Sequence, residues 1–155
     1  GLSKLLKSPS LSLPGLLLRQ KLESIMEEVD CSVGIFVNRG FTKASEILLL
    51  VDSEQDLFLF NYARTRLGEK SMTIRICFAD KQHDSYLEER VMTDFVQQDS
   101  AKFVLGKPPG EIMWSDAKEC LLVMSYAACE KLSRNHQLFA ALPSLLIIRP
   151  RLDEA

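Results

Sequence analysis

Residues 119–135, ECLLVMSYAACEKLSRN, decide the fold. The run Cys120–Met124 is apolar throughout, with no alternation of polar residues, as expected of a strand covered on both faces. It ends at Ser125 and passes directly into a segment of helical character. In α/β proteins such a strand-to-helix junction is where a phosphate rests on free backbone N–H groups. Close approach of backbone to phosphate ordinarily needs glycine, because any Cβ stands in the way. No glycine is present here: Ser125, Ala127 and Ala128 are small, and Tyr126 adds bulk. The stretch therefore reads as a nucleotide-type fold without its phosphate cradle.

Outward from that junction the same alternation repeats. Strands are expected near 46–52, 71–79, 102–106, 119–125 and 144–149. Helices are expected in DLFLFNYARTRLGEK (56–70), SYLEERVMTDFVQQDS (85–100) and ACEKLSRNHQLFAAL (128–142). The runs ILLLV and LLIIR are apolar throughout, like CLLVM. Strands alternating with helices of this length predict an open, mostly parallel five-stranded sheet with helices on both faces. Residues 107–118, KPPGEIMWSDAK, read as a loop in which Trp114 caps the sheet.

Two further elements precede this core. Residues 1–14, with Pro9 and Pro14, read as a linker. Residues 16–29, LLLRQKLESIMEEV, place Leu18, Leu22, Ile25, Met26 and Val29 on one stripe, which predicts an extra N-terminal amphipathic helix. CSVGIFVN (31–38) reads as an additional strand. The link RGFTKA is too short for a parallel crossover, so this strand either forms a hairpin with the next or lies elsewhere in the sheet as an antiparallel edge strand. The chain opens on Gly1 without an initiating Met, and reads as a segment of a longer protein.

A chain of 155 residues with 46% hydrophobic content fits one ordinary domain. The formal charge of -2 offers no electrostatic footprint for nucleic acid or for an anionic membrane. No run approaches the length of a membrane span, so this piece is expected to be soluble. The four cysteines form no C-x-x-C pair. Three lie in apolar runs, where a thiol behaves as a small hydrophobe in a reducing compartment. His83 and His136 are not spaced to complete a zinc site with them, so no metal or other cofactor is expected.

The residues to inspect for binding are those ending strands 46–52 and 119–125, because ligands of open α/β sheets sit beyond the carboxyl ends of the strands. Asp52 is a candidate acceptor for a base or ribose. Ser53 is a candidate helix cap, with Asp56 in the first turn. Ser125 and Tyr126 flank the expected phosphate position. No G-x-S-x-G, G-x-x-x-x-G-K-[ST] or G-x-G-x-x-G motif occurs, and the Glu-Glu pairs at 27–28 and 88–89 read as solvated helix surface. The expectation is a protein without catalytic residues.

The order of strands and helices, with ILLLVDS at the start and LLVMS before the penultimate helix, resembles the universal stress protein fold, a Rossmann-like architecture. ESIMEEVDCSVGIFVNRGF (23–41) further resembles the cytoplasmic tails of bacterial and plant monovalent cation/proton antiporters, which read APCSVGI and VDRG. Cys31, Ser32, Val33, Gly34, Ile35, Arg39 and Gly40 match, and Asn38 stands where Asp is common. The resemblance implies that residues 15–40 are the last helix and strand of one stress-protein-like unit and that 45–150 are the next. It implies a regulatory domain on the cytoplasmic face of the inner membrane, part of a sodium or potassium/proton antiporter, with the transporter portion of the same protein as partner. It further implies edge-strand pairing of SVGIFV with LLIIRP, within one chain or in a homodimer, and leaves room for a small-molecule effector. Nucleotide-binding stress proteins carry G-x-x-G and, nine residues on, G-[ST] after the penultimate strand. This chain has no glycine from 111 to 155, and Ser144 alone is a candidate survivor. The alternative is a free-standing stress protein that binds an adenine nucleotide.

Overall fold

A computed structural model of the chain describes residues 33–42, 46–66, 72–79, 85–106 and 119–150. Six strands form one sheet: β1 Val33–Val37, β2 Glu46–Val51, β3 Ile74–Phe78, β4 Phe103–Leu105, β5 Cys120–Ser125 and β6 Ser144–Arg149. Their order is β1-β6-β5-β2-β3-β4. All pairings among β2 to β6 are parallel, and only β1 runs antiparallel, against β6, with Ile35 opposite Ile147. The short link after β1 had left two arrangements open, and the structure takes the second: β1 lies three places from β2, at the sheet edge.

β2 and β5 are neighbours although three strands of sequence order separate them. The chain leaves β2 in one direction, to β3 and β4, and later leaves β5 in the other, to β6. This reversal is the switch point of a doubly wound sheet. Val51 and Ser125 end the two strands there.

Apolar side chains fill both faces, as the uninterrupted runs require. Leu48, Leu50, Leu122, Met124, Leu145 and Ile147 face Ala128, Cys129 and Phe139. Leu49, Val51, Ile74, Ile76 and Val123 share the other cluster with Leu59, Phe60, Ala63, Leu87 and Val91. The helices supplying these contacts are α1 Phe58–Arg66, entered through a 3-10 turn at Glu54–Leu57, α2 Ser85–Val91, α3 Tyr126–Leu132 and α4 His136–Ala141. Cys77, Cys120 and Cys129 are all buried and free, in the core role expected of them.

Two helices differ from expectation. The single helix foreseen over 128–142 begins at Tyr126 and breaks at 133–135, because the Asn135 side chain accepts the Leu138 N–H at 3.1 Å and starts α4 as a new N-cap. The helix foreseen over 85–100 changes after Val91 into a π turn, Met92–Val96, where the Gln97 N–H reaches Met92 O. That wider turn brings Phe95 flat against Phe60, at 4.0 Å between ring centroids. The linker 1–14, the helix 16–29, Cys31, His83 and the Trp114 loop lie outside the described residues.

Candidate functional site at the strand switch point

The carboxyl ends of β2 and β5 bring together residues that are far apart in sequence. VDSEQD turns sharply after β2. The Ser53 hydroxyl accepts the Gln55 N–H at 3.3 Å, and the Asp56 carboxylate reaches back to accept the Ser53 N–H at 3.2 Å. This is a capping box, with Asp at the position usually held by Glu. Ser53 is thus the helix cap that its position suggested.

Asp56 does more than close the box. Its side chain is buried, at 1% exposure. Oδ2 also accepts the Asp52 N–H at 2.7 Å, and Oδ1 accepts the Ser125 hydroxyl at 2.5 Å. A buried carboxylate is tolerated only when hydrogen bonds replace its hydration, and three donors do so here. Ser125 in turn accepts the Ala128 N–H at 3.1 Å, capping α3. One of the backbone donors that a bound anion would use is therefore already engaged.

Of the four residues expected at a ligand site, Asp52, Ser53 and Ser125 do converge, all through Asp56. Asp52 also holds an ion pair outside the buried cluster, Lys131 Nζ to Oδ1 at 3.0 Å, with the lysine side chain 62% exposed. A pair so open to solvent contributes little to stability. Tyr126 opens α3, half-buried, and packs against the cluster formed with Ala128, Cys129 and Phe139. Asp56 was seen in the sequence only as a first-turn acid. The S-x-x-D spacing from Ser53 was the available signal, but it could not show that Ser125 would meet the same carboxylate.

The position where a doubly wound sheet would hold an anionic ligand is thus occupied by the chain's own anion. Asp56 offers a charge at the place where a phosphate would need donors. Ser125 is 4% exposed, and its hydroxyl proton is directed at a carboxylate rather than at a histidine. Among the described residues no group of His, Cys, Asp and Glu is arranged to hold a metal ion.

A second polar cluster ties the start of the domain to its end. The Asn38 side chain accepts the N–H groups of Gly40 and Phe41, making a turn in which Gly40 adopts φ 92°, a conformation that suits glycine. This turn aims Arg39 at the end of α4. Its Nη1 donates to Phe139 O at 2.6 Å and to Leu142 O at 2.9 Å, and the guanidinium lies 5.1 Å from the Phe139 ring centroid. A cation on the last carbonyls of a helix matches both their lone pairs and the dipole. Burial lowers the Arg39 pKa from its ordinary value, and the neighbouring Cys129 opposes that shift. Ser144, the candidate survivor of a phosphate motif, is wholly buried and accepts the Arg39 backbone N–H at 2.8 Å.

No family model matches the chain, and no curated protein matches it. Among the described residues no helix is long and apolar enough to cross a membrane.

Proposed function

We propose that this chain is a cytoplasmic regulatory and interaction domain of a membrane sodium or potassium/proton antiporter, acting by association and not by catalysis. Three features support the reading. The CSVGI and RG residues at 31–35 and 39–40 resemble antiporter tails. The strand carrying them lies antiparallel on the final strand, the arrangement that a stress-protein-like unit ending beside another would produce. The observation that carries the choice against a nucleotide-binding stress protein is the Asp56 carboxylate, held by Ser125 and two backbone N–H groups where a phosphate would sit.

A tethered domain can bias a transporter only by contacting its states differently, and a tenfold change in their balance takes about 1.4 kcal/mol of such difference. Edges and surfaces of the sheet can supply this without a bound nucleotide. The partners are the transporter portion of the same protein and, through the edge strands, a second copy. Ion flux through the full-length protein in proteoliposomes tests the proposal. Deleting residues 33–150 should shift the pH or ion dependence of transport. Unaltered flux, or a parent gene encoding no hydrophobic spans, would refute it.

A further inference from the structure

One half of one sheet face is covered by something other than the described helices. A right-handed crossover from β2 to β3 and another from β3 to β4 place α1 and α2 on the same face, over β2, β3 and β4. Their buried residues Leu59, Phe60, Ala63, Leu87 and Val91 belong to that face's cluster. The crossover from β5 to β6 runs the opposite way along the sheet and puts α3 and α4 on the other face, as does the return from β4 to β5. A helix about 10 Å across roofs about two strands spaced about 4.8 Å apart. Two helices therefore leave β5, β6 and β1 bare on the α1/α2 side.

The side chains pointing there are not bare. Val123 is 0%, Ile148 4% and Leu121 8% exposed, and Phe36 and Leu146 are half-buried against the same cluster. We infer that residues 16–29 of the same chain lie across this strip as a helix, with Leu18, Leu22, Ile25, Met26 and Val29 turned onto Phe36, Leu146 and Ile148. Fourteen helical residues span about 21 Å, against about 17 Å for the five residues of β1. The connection from Val29 to Val33 is of the length that joins a helix to an adjacent strand. Arg19, Lys21, Glu23, Glu27 and Glu28 then face water. The consequence is mechanical: whatever pulls on residues 1–14 acts directly on the β1–β6 edge. The inference does not depend on the antiporter reading.

Methyl-resolved NMR of the full chain tests it. Nuclear Overhauser contacts from the Ile25 and Met26 methyls to Leu146, Ile148 and the Phe36 ring are expected within one molecule. Their absence overturns the inference. So does their appearance only between differently labelled copies, which would mean that the helix is exchanged between chains. Met26→Asp should raise hydrogen exchange in β1 and β6 before β2 and β3, while Lys21→Asp should leave all four unchanged. Uniform loss of protection in Met26→Asp, or equal effects of the two substitutions, would also contradict the placement.

Discussion

Replacing Asp56 by alanine removes the acceptor for three donors at once: the Ser125 hydroxyl and the N–H groups of Asp52 and Ser53. A hydrogen bond to a charged group contributes roughly 1.5–3 kcal/mol, and a buried donor left without a partner costs about 1–3 kcal/mol. Water entering the vacated space recovers part of this, so the expected loss is about 3–4 kcal/mol. For a chain of this size each kcal/mol corresponds to roughly 2–4 °C in Tm, so Asp56→Ala should melt about 10 °C below the parent protein. Asp56→Asn keeps an oxygen for the backbone donors and turns an amide toward Ser125, which has a lone pair to accept it. That variant should lose only about 1–1.5 kcal/mol. Urea unfolding of the parent, Asp56→Ala, Ser125→Ala and the double variant gives the coupling directly, expected at about 1–2 kcal/mol. An Asp56→Ala protein within 1 kcal/mol of the parent, or strictly additive variants, would refute the claim that this carboxylate is the centre of the switch-point network.

Other consequences follow from the same geometry. Arg39→Ala should destabilise by roughly 2–4 kcal/mol and speed hydrogen exchange in α4 first, since its guanidinium holds Phe139 O and Leu142 O; Arg39→Lys should recover only part, because an ammonium lacks the planar fork. Burial pushes the thiols of Cys77, Cys120 and Cys129 up to about 12 from an ordinary value of 9.0. Unfolded thiols therefore ionise before folded ones, and stability that is complete below pH 9 should fall as pH rises toward 12. The urea midpoint should drop across that window, less steeply in Cys129→Ala, and iodoacetamide at pH 8 should label the folded chain at these three sites far more slowly than the unfolded one. A Cβ at Gly34 meets nothing within 4 Å, whereas Gly40 sits at φ 92°. Gly34→Ala should thus be neutral or stabilise by about 0.5 kcal/mol and Gly40→Ala should cost about 1–2 kcal/mol, as read from thermal melts.

The parallel layer was legible because burial on both faces leaves a plain mark: ILLLV, CLLVM and LLIIR could belong to little else. The position of β1 was legible only as a choice, since a six-residue link forbids a parallel neighbour without saying which strand will be the partner. The break before α4 was written in Asn135, an N-cap residue, but the apolar spacing on either side ran on without interruption and outweighed it. The π turn at Met92–Val96 left no sequence mark, because it follows from fitting Phe95 onto Phe60 in the folded chain. At the switch point, the lack of glycine told that a phosphate cradle was missing. What replaced it was hidden, because Asp56 and Ser125 are separated by 69 positions and no local spacing links them.

The central claim is that this chain fills its own anion position. Titrating the isotopically labelled protein with millimolar ATP and AMP while following the backbone amides of Asp52, Ser53 and Ala128 tests it most directly. The account predicts that these three resonances stay where they are. Saturable shifts at all three, with micromolar affinity, would contradict it.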